Sequence, residues 1–460
     1  MGQYLHISDI HFNPFYDGSL FDQLNAQPVE NWAGILDRSQ PPGISPKGQD
    51  SNYALIKSSL DDAFRRSPAP DFLLVAGDFL AHHWQSNYDQ VAKKSHLADP
   101  QAYRVFTSKV IQFLAGEFHR RYPATPVLPA LGNNDSDCGD YAITPQGPFL
   151  KMFAVAWAPL LGPDADRDAF QAMFSQGGYF SLKLPRAKDH RLIVLNTIFF
   201  SAKYANTCGT NNQTPAVDEL GWLATALEQA RAANETVWLL MHIPPGIDSF
   251  ATLKSVQAKE PVVLWQPEWT SRFLQLVERY QGTIQATFGG HMHKDDFRVI
   301  RLDGKPVLFS KLAPSISPIY RNNPGYQIGQ YDRQTGAIAN YQTYCLTNLT
   351  ADGKPTAPAA GSWVLEYDFR ETYGFPALNS HSIAQLADGL KTNATVQRNY
   401  IKFYSVSAAP EPSPQTIDIF RCGILSVTPA EFEACYHGEA EPHRSPPVPD
   451  KRAVKSVAPR

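Results

Sequence analysis

The sequence has few charged residues, no surplus of basic ones and no long apolar run. Charged residues make up 18% of the 460, and the formal net charge is -3. Binding to a nucleic-acid polymer depends on a basic surface that neutralises phosphates, so we expect no partner of this kind. The longest apolar runs also fall well short of the roughly 20 residues of a membrane helix, so we expect no transmembrane segment.

The five cysteines lack the CxxC spacing of a zinc ribbon. Disulfides are compatible with their positions, because Cys422 and Cys435 flank a short segment. Cys138 would reach Cys208 if both lie on loops at the same edge of a sheet. Cys345 would then be left over.

The chain has ample material for a core, with 43% hydrophobic residues. Its first two thirds alternate short β-branched or leucine-rich strands with amphipathic helical stretches. These stretches span residues 52–66, 101–121, 216–232 and 268–280. Such alternation predicts a layered α/β architecture with buried sheets.

The composition and the pattern of predicted elements change after about residue 325. Tyrosine-rich strand candidates are followed there by helical stretches near 380–390 and 428–436, and the last residues are polar and rich in proline. We therefore predict a catalytic domain over residues 1–325, a smaller α+β subdomain over residues 326–440, and a disordered tail over residues 441–460.

Polar side chains follow five of the predicted strands. They occur in the strings "SDIHF", "AGDFLAHHW", "LGNND", "LLMHIPPG" and "FGGHMHKDD". Alone, each string is more typical of a turn or a capped strand end than of a ligand set. Five strings that offer carboxylate, carboxamide and imidazole groups at strand ends indicate one site, because α/β sheets place their sites at the carboxyl ends of strands.

In order, these strings read D-x-H, G-D, G-N-x-D, H-x-P-P-G and G-H-x-H, and they resemble the calcineurin-like metallophosphoesterases over roughly residues 4–310. The strings "HFNPFYD", "GQDSNYALIKSSLDDA", "GDFLAHHW" and "LAPSISPIYRNNPGY" further resemble the acid sphingomyelinase-like phosphodiesterases. The resemblance implies a four-layer α/β/β/α sandwich with a smaller C-terminal α+β appendage.

The resemblance also implies a site for two divalent ions, with zinc as the first expectation and manganese or iron as alternatives. One ion would be held by Asp9, His11 and His293. The other would be held by Asn133, His242 and His291. Asp78 would bridge the two, since cations roughly 3.5–4 Å apart need a shared anion to offset their repulsion.

Such a site hydrolyses phosphoesters through a hydroxide that bridges the ions, with a general acid opposite to it. Most members of the superfamily carry a histidine where this chain has Asn134, whose amide donates hydrogen bonds but delivers no proton near neutral pH. The catalytic role of acid therefore passes to His82, in the GDxxxH position, or the substrate has a good leaving group. Asp135 is expected to support the loop and, from behind the ligands, a histidine, and His83 is expected to be structural.

Three functions remain open on the sequence. The first is a phosphodiesterase that acts on nucleotide-type or phospholipid headgroup-type substrates. The second is a polyphosphate or phosphoanhydride hydrolase, because the G-N-N-D form resembles that of endopolyphosphatases. The third is a metal- or phosphate-binding protein without turnover.

Catalytic roles are predicted for His82 and Asn134, and substrate contacts for His82, Asn134 and Asn323. Five aromatic residues are weaker candidates, because aromatic residues at this density usually belong to the core: Trp84, Tyr103, Tyr141, Tyr320 and Tyr326. We expect a monomer that acts on a small phosphoester. Paired cysteines and the resemblance favour a secreted, periplasmic, vacuolar or lysosomal protein whose leader has been removed.

Overall fold

Two six-stranded sheets face each other in the computed structural model of the protein, which describes residues 1–93, 99–205, 208, 214–255, 260–350, 362–408 and 412–438. The strands of the first sheet are β1 (Gly2–Ile7), β2 (Phe72–Val75), β3 (Val127–Pro129), β10 (Gly325–Tyr331), β11 (Ile338–Leu346) and β12 (Trp363–Asp368). Those of the second are β4 (Phe180–Lys183), β5 (His190–Val194), β6 (Thr236–Leu240), β7 (Ile284–Gly289), β8 (Asp296–Leu302) and β9 (Lys305–Leu312). The spatial orders are β12-β11-β10-β1-β2-β3 and β4-β5-β6-β7-β9-β8.

The α-helices pack against the sheets or against one another. They are α1 (Phe21–Ala26), α2 (Trp32–Leu36), α3 (Tyr53–Arg66), α4 (Trp84–Ala92), α5 (Pro100–Arg121), α6 (Pro148–Trp157), α7 (Arg167–Gly177), α8 (Pro215–Ala232), α9 (Ser249–Ser255), α10 (Pro267–Arg279), α11 (Phe369–Tyr373), α12 (Ser380–Thr392), α13 (Ala394–Tyr404), α14 (Ile417–Leu425) and α15 (Pro429–His437). The four helices predicted in the first two thirds agree with α3, α5, α8 and α10 to within one residue at each end.

The core between the sheets is aromatic. Tyr4 of β1 makes edge contacts with Trp238 of β6 and Phe288 of β7, each at 5.4 Å between ring centroids. All three side chains are buried, and perpendicular rings at this distance add to the stability gained from burial. On the outside, α6 anchors to the first sheet through the Trp157 indole, and α8 packs against β5 and β6. This arrangement confirms the predicted four-layer α/β/β/α architecture.

Parallel pairing brings the polar loops together. β1, β2 and β3 run parallel in the first sheet, and β6 and β7 run parallel in the second. Parallel neighbours end at the same edge of a sheet, and ligands bind outside the carboxyl ends of such strands. All five predicted motifs follow these five strands directly.

The segment after residue 325 divides between the two sheets. Its strands extend the first sheet, because β10 pairs antiparallel with β1, β11 with β10, and β12 with β11. α12 and α14 pack against β8 and β9 of the second sheet. The segment is α+β, as predicted, although residue 325 is already the first residue of β10. The division into domains stays a prediction, and the tail over 441–460 lies outside the described residues.

Two disulfides form as the spacing suggested. Cys138 is bonded to Cys208 and Cys422 to Cys435, and Cys345 is a free, buried thiol. In the parts of the chain that the structure describes, no helix has both the length and the apolar character to cross a membrane.

Candidate metal centre

The loops after β1 and β2 are held together by backbone hydrogen bonds. The N–H of Asp9 donates to the carbonyl of Gly77 at 3.0 Å, and that of His11 donates to the carbonyl of Asp78 at 2.8 Å. Positive φ angles recur at five predicted ligands: Asp9, His11, Asp78, His291 and His293. Such backbone is uncommon for residues with side chains, and strain of this kind clusters at functional sites.

Asp78 lies at the centre of the cluster. Its Oδ2 is 3.3 Å from Nε2 of His11 and also 3.3 Å from Nε2 of His242. One carboxylate oxygen therefore faces the histidines of both predicted ligand sets. This position agrees with the prediction of a carboxylate shared by two cations.

The first ligand set consists of Asp9, His11 and His293. Nε2 of His293 lies 3.1 Å from Nε2 of His11 and 3.3 Å from Oδ1 of Asp9. The donor atoms of Asp9, His11, Asp78 and His293 all lie within 4.8 Å of one another. Their lone pairs thus converge on one small volume.

The second ligand set consists of Asn133, His242 and His291. Oδ1 of Asn133 is 3.1 Å from Nε2 of His242 and 2.9 Å from Nδ1 of His291. The carboxamide oxygen and two imidazole nitrogens therefore meet beside Asp78. The structure brings together all seven predicted ligands.

Backbone carbonyls orient one histidine of each set. Nδ1 of His11 is 3.0 Å from the carbonyl oxygen of Leu80, and Nδ1 of His242 is 2.6 Å from that of Ala76. Since a carbonyl only accepts, Nδ1 carries a hydrogen, so in the neutral imidazole the lone pair is on Nε2, where a ligand role needs it. Metal-binding histidines are commonly oriented in this way.

The glycines of the motifs allow the loops to approach closely. A Cβ on Gly132 would collide with the Asp78 carboxylate, and a Cβ on Gly290 would lie 2.6 Å from Oδ2 of Asp9. The glycine before Asn133 is therefore required by the Asp78 carboxylate, and the glycine before His291 by the Ser8 hydroxyl together with the Asp9 carboxylate.

The site concentrates negative charge. Burial lowers the pKa of both His11 and His242, but the carboxylates of Asp78 and Asp9 outweigh it and raise these pKa values to about 10 and about 9. Among the described residues, the ion pairs of Asp9 and Asp78 are with histidines alone. Two buried carboxylates without a lysine or arginine partner fit a site for divalent cations, because buried charge requires compensation.

Asp135 supports the loops, as predicted, but among the described residues its hydrogen bonds go to backbone N–H groups rather than to the expected histidine. Its carboxylate accepts hydrogen bonds from the N–H groups of Asp78, Phe79, Leu80 and Gly132 at 2.8 to 3.2 Å. It thereby ties the loop after β2 to the loop after β3. Burial and the charge of Asp78 raise the pKa of Asp135 to about 7.

His82 lies beside the first ligand set. Its ring stacks on that of His11 at 4.0 Å between centroids, and its Nε2 is 3.4 Å from the hydroxyl of Tyr320. Asp50 holds the other side, because its carboxylate accepts from the backbone N–H of His82 at 2.8 Å and lies 3.0 Å from Nδ1. The hydroxyl of Ser317 also donates to Asp50.

Sequence reasoning did not identify Asp50 as functional. Burial works to raise its pKa, but the hydrogen bond from His82 and the charge of His11 hold that pKa below its usual range. Asp50 belongs to the string "GQDSNYALIKSSLDDA". The only available signal was its place in that string.

Asn134 faces Asp78. Its backbone N–H donates to Oδ1 of Asp78 at 2.8 Å, and its side-chain amide donates to Oδ2 at 3.0 Å. Asn323 lies elsewhere: it is buried, and its amide donates to the carbonyl of Val406 at 2.8 Å. Within the described residues no hydrogen bond joins Asn323 to the ligands, and its role in substrate binding stays a prediction.

Two of the five candidate aromatic residues contact the cluster. Tyr320, which is 53% exposed, places its ring 4.7 Å from that of His293. Tyr141 packs its ring edge-on against His291 at 6.2 Å between centroids, with its hydroxyl 3.5 Å from Nε2. The other three are buried core residues: Trp84, Tyr103 and Tyr326.

Known proteins resemble the chain over most of its length. The sequence profile of the calcineurin-like phosphoesterase family matches residues 2–295. Human acid sphingomyelinase-like phosphodiesterase 3b is 28% identical over 88% of this chain and 83% of its own. Sphingomyelin phosphodiesterase A of Dictyostelium discoideum is 27% identical over 95% of this chain and 68% of its own length. The cyclic GMP-AMP phosphodiesterase SMPDL3A of Rattus norvegicus is 25% identical over 95% of this chain and 92% of its own length.

Proposed function

The chain belongs to the calcineurin-like phosphoesterase family, and we propose that it is a phosphodiesterase with a dinuclear metal site. Its substrates are phosphoesters of the nucleotide type or the phospholipid headgroup type. The observation that carries the proposal is the position of Asp78, whose Oδ2 lies at the same distance, 3.3 Å, from a histidine of each ligand set. A carboxylate so placed serves two cations at once.

The ligand sets define the two ion sites. Asp9, His11 and His293 would hold one ion, the second set would hold the other, and Asp78 would be shared between them. Imidazole, carboxylate and carboxamide ligands together suit zinc first, with manganese or iron as alternatives, and suit magnesium or calcium less well. Two such ions supply a water of lowered pKa as nucleophile and compensate the charge that grows on the phosphoryl oxygens.

His82 is the residue that protonates the leaving oxygen. Asp50 accepts the hydrogen on Nδ1, so the proton that His82 can give away sits on Nε2. That atom points towards Tyr320, on the open side of the cluster. The histidine is therefore both oriented and accessible, as a general acid must be.

Asn134 orients the substrate. One hydrogen of its amide is used on Asp78, and the second remains for a phosphoryl oxygen. The carboxamide stabilises charge but transfers no proton, which leaves the acid role to His82. Tyr320 flanks the place where the leaving group departs.

The names of the relatives support the substrate class. They include acid sphingomyelinase-like, sphingomyelin and cyclic GMP-AMP phosphodiesterases, and two of these names contain a phosphodiester with a headgroup or with nucleosides. Two disulfides support an oxidising location, such as the exterior, the periplasm, or a vacuolar or lysosomal lumen.

Metal content and a substrate panel test the proposal. We expect two divalent ions per chain and hydrolysis of bis(p-nitrophenyl) phosphate, whose leaving group needs no acid. Natural substrates are then compared by the release of nucleoside monophosphate, of phosphocholine, or of shortened polyphosphate chains. Predominant polyphosphate cleavage would replace the diesterase by an anhydride hydrolase, and no turnover with any divalent metal would exclude both enzymes.

A further inference from the structure

The side chain of Asn133 has two different ends, and only one of them binds a cation. Its Oδ1 faces Nε2 of His242 and Nδ1 of His291. Its Nδ2 carries two hydrogens and no available lone pair. A half-turn about the last side-chain bond would exchange these ends and present hydrogens to the second ion site.

Asp140 prevents that exchange. Nδ2 of Asn133 donates to Oδ1 of Asp140 at 2.7 Å, and an ionised carboxylate only accepts hydrogen bonds. The end of the amide that faces Asp140 must therefore be the nitrogen. The oxygen is left for the second ligand set, and a hydrogen bond to a charged acceptor is among the stronger ones.

The loop that carries Asp140 is fastened on both sides. The N–H of Tyr141 donates to the carbonyl of Asn133 at 2.9 Å, and the N–H of Ala205 donates to the carbonyl of Tyr141 at 3.0 Å. The disulfide from Cys138 to Cys208 joins the same two segments. Asp140 is thus held in place although it is exposed.

Asp135 cannot do the same work, because its oxygens already accept from four backbone N–H groups. We propose that Asp140 is a positioning residue that orients the Asn133 carboxamide with its oxygen towards the second ion. The proposal rests on the dinuclear site described above. It assigns to Asp140 a role in metal affinity at one of the two ions.

Three variants separate orientation from charge. Asp140→Ala removes the acceptor, and Asp140→Asn keeps an acceptor oxygen without the charge. Asp137→Asn is the matched control, because Asp137 lies in the same loop but pairs with the largely exposed Arg104. Each protein is loaded with zinc and titrated with a competing chelator, and the ions per chain are counted by elemental analysis.

We expect Asp140→Ala to weaken the binding of one ion by about 10- to 100-fold, the usual effect of removing a group behind a ligand, and to leave the other ion unchanged. Asp140→Asn should recover part of this loss, because its carbonyl oxygen can accept from Asn133. Asp137→Asn should bind both ions like the natural sequence.

Three outcomes contradict this role. In the first, Asp140→Ala keeps the natural affinity for both ions. In the second, it loses affinity for both ions equally. In the third, its loss of affinity is no larger than that of Asp137→Asn. If Asp140→Ala fails to fold, as judged by circular dichroism, the comparison of Asp140→Asn with Asp137→Asn decides. If the natural sequence itself binds fewer than two ions, the dinuclear site is wrong, and that result is distinct from a failure of the Asp140 role.

Discussion

The two halves of the proposed metal centre are supported by different parts of the molecule. On the first side, His82 stacks on His11 and is held by Asp50, a carboxylate that is only 6% exposed. On the second side, Asn133 depends on Asp140, an exposed residue of a loop that a disulfide fastens. The first side therefore draws its order from the core, and the second from a surface loop.

This difference suggests a division of work. The first side carries the histidine proposed as proton donor, so substitutions there should slow the departure of the leaving group. The second side carries the uncharged carboxamide ligand, Asn133, so substitutions there should affect the occupancy of one ion. Asp78 belongs to both sides.

The largest effect is expected where the two sides meet. Asp78→Asn removes the shared charge, so we expect both ions to bind weakly and turnover of bis(p-nitrophenyl) phosphate to fall by at least about 10³-fold. Elemental analysis and initial rates measure this result. Asp37→Asn, at an exposed carboxylate paired with Lys57, is the control. A variant at position 78 that still binds two ions would show that the sides do not share this residue.

The next largest effect belongs to the first side alone. His82→Asn should slow a diester with a poorly acidic leaving group by about 10²-fold or more, and should change bis(p-nitrophenyl) phosphate hydrolysis much less, because general acid catalysis is then not needed. His83→Asn is matched to it, since His83 is exposed and has a positive φ that asparagine tolerates. Equal losses of hydrolysis rate for both substrates would assign His82 to substrate binding rather than to proton transfer.

The residues that the sequence predicted best are those within short motifs at strand ends. The predicted ligands from Asp9 to His293 are separated by up to 284 positions, yet each lies within four residues of a strand terminus. Parallel pairing alone brings such residues together. Hydrophobic periodicity predicted the long helices for a similarly local reason, because each buries one face.

The groups behind the ligands were not predictable in this way. Asp50 reaches His82 across 32 positions and Asp140 reaches Asn133 across seven, and a single aspartate in a loop has no pattern that distinguishes it from a turn residue. The aromatic candidates illustrate the same limit. Burial separates Tyr326 from Tyr320, and burial follows from tertiary packing rather than from the sequence near either residue.

A smaller effect should follow from loosening the first side without removing its histidine. Asp50→Asn keeps the size of the side chain but weakens the hydrogen bond that orients His82, so we expect a loss on the order of tenfold for the poor leaving group, less than the full contribution of a general acid. Both ions should remain bound. The combined variant with His82→Asn provides the check: if Asp50 acts through His82, the second substitution should make little further difference.

The smallest effect on catalysis should come from the disulfide under the second side. Cys138→Ser with Cys208→Ser should weaken the binding of one ion by only about twofold to threefold, because the two backbone hydrogen bonds of the loop persist. Cys422→Ser with Cys435→Ser is the matched control, since that disulfide closes a short loop near the C-terminal helices.

The two disulfides should also differ in their contribution to stability. Their sequence separations of 70 and 13 predict losses of unfolding free energy of about 4 and about 3 kcal/mol. Thermal unfolding and chelator titration together separate the two effects. If both pairs lower metal affinity equally, the loop has no special connection to the second ion, and the contrast between the two sides disappears.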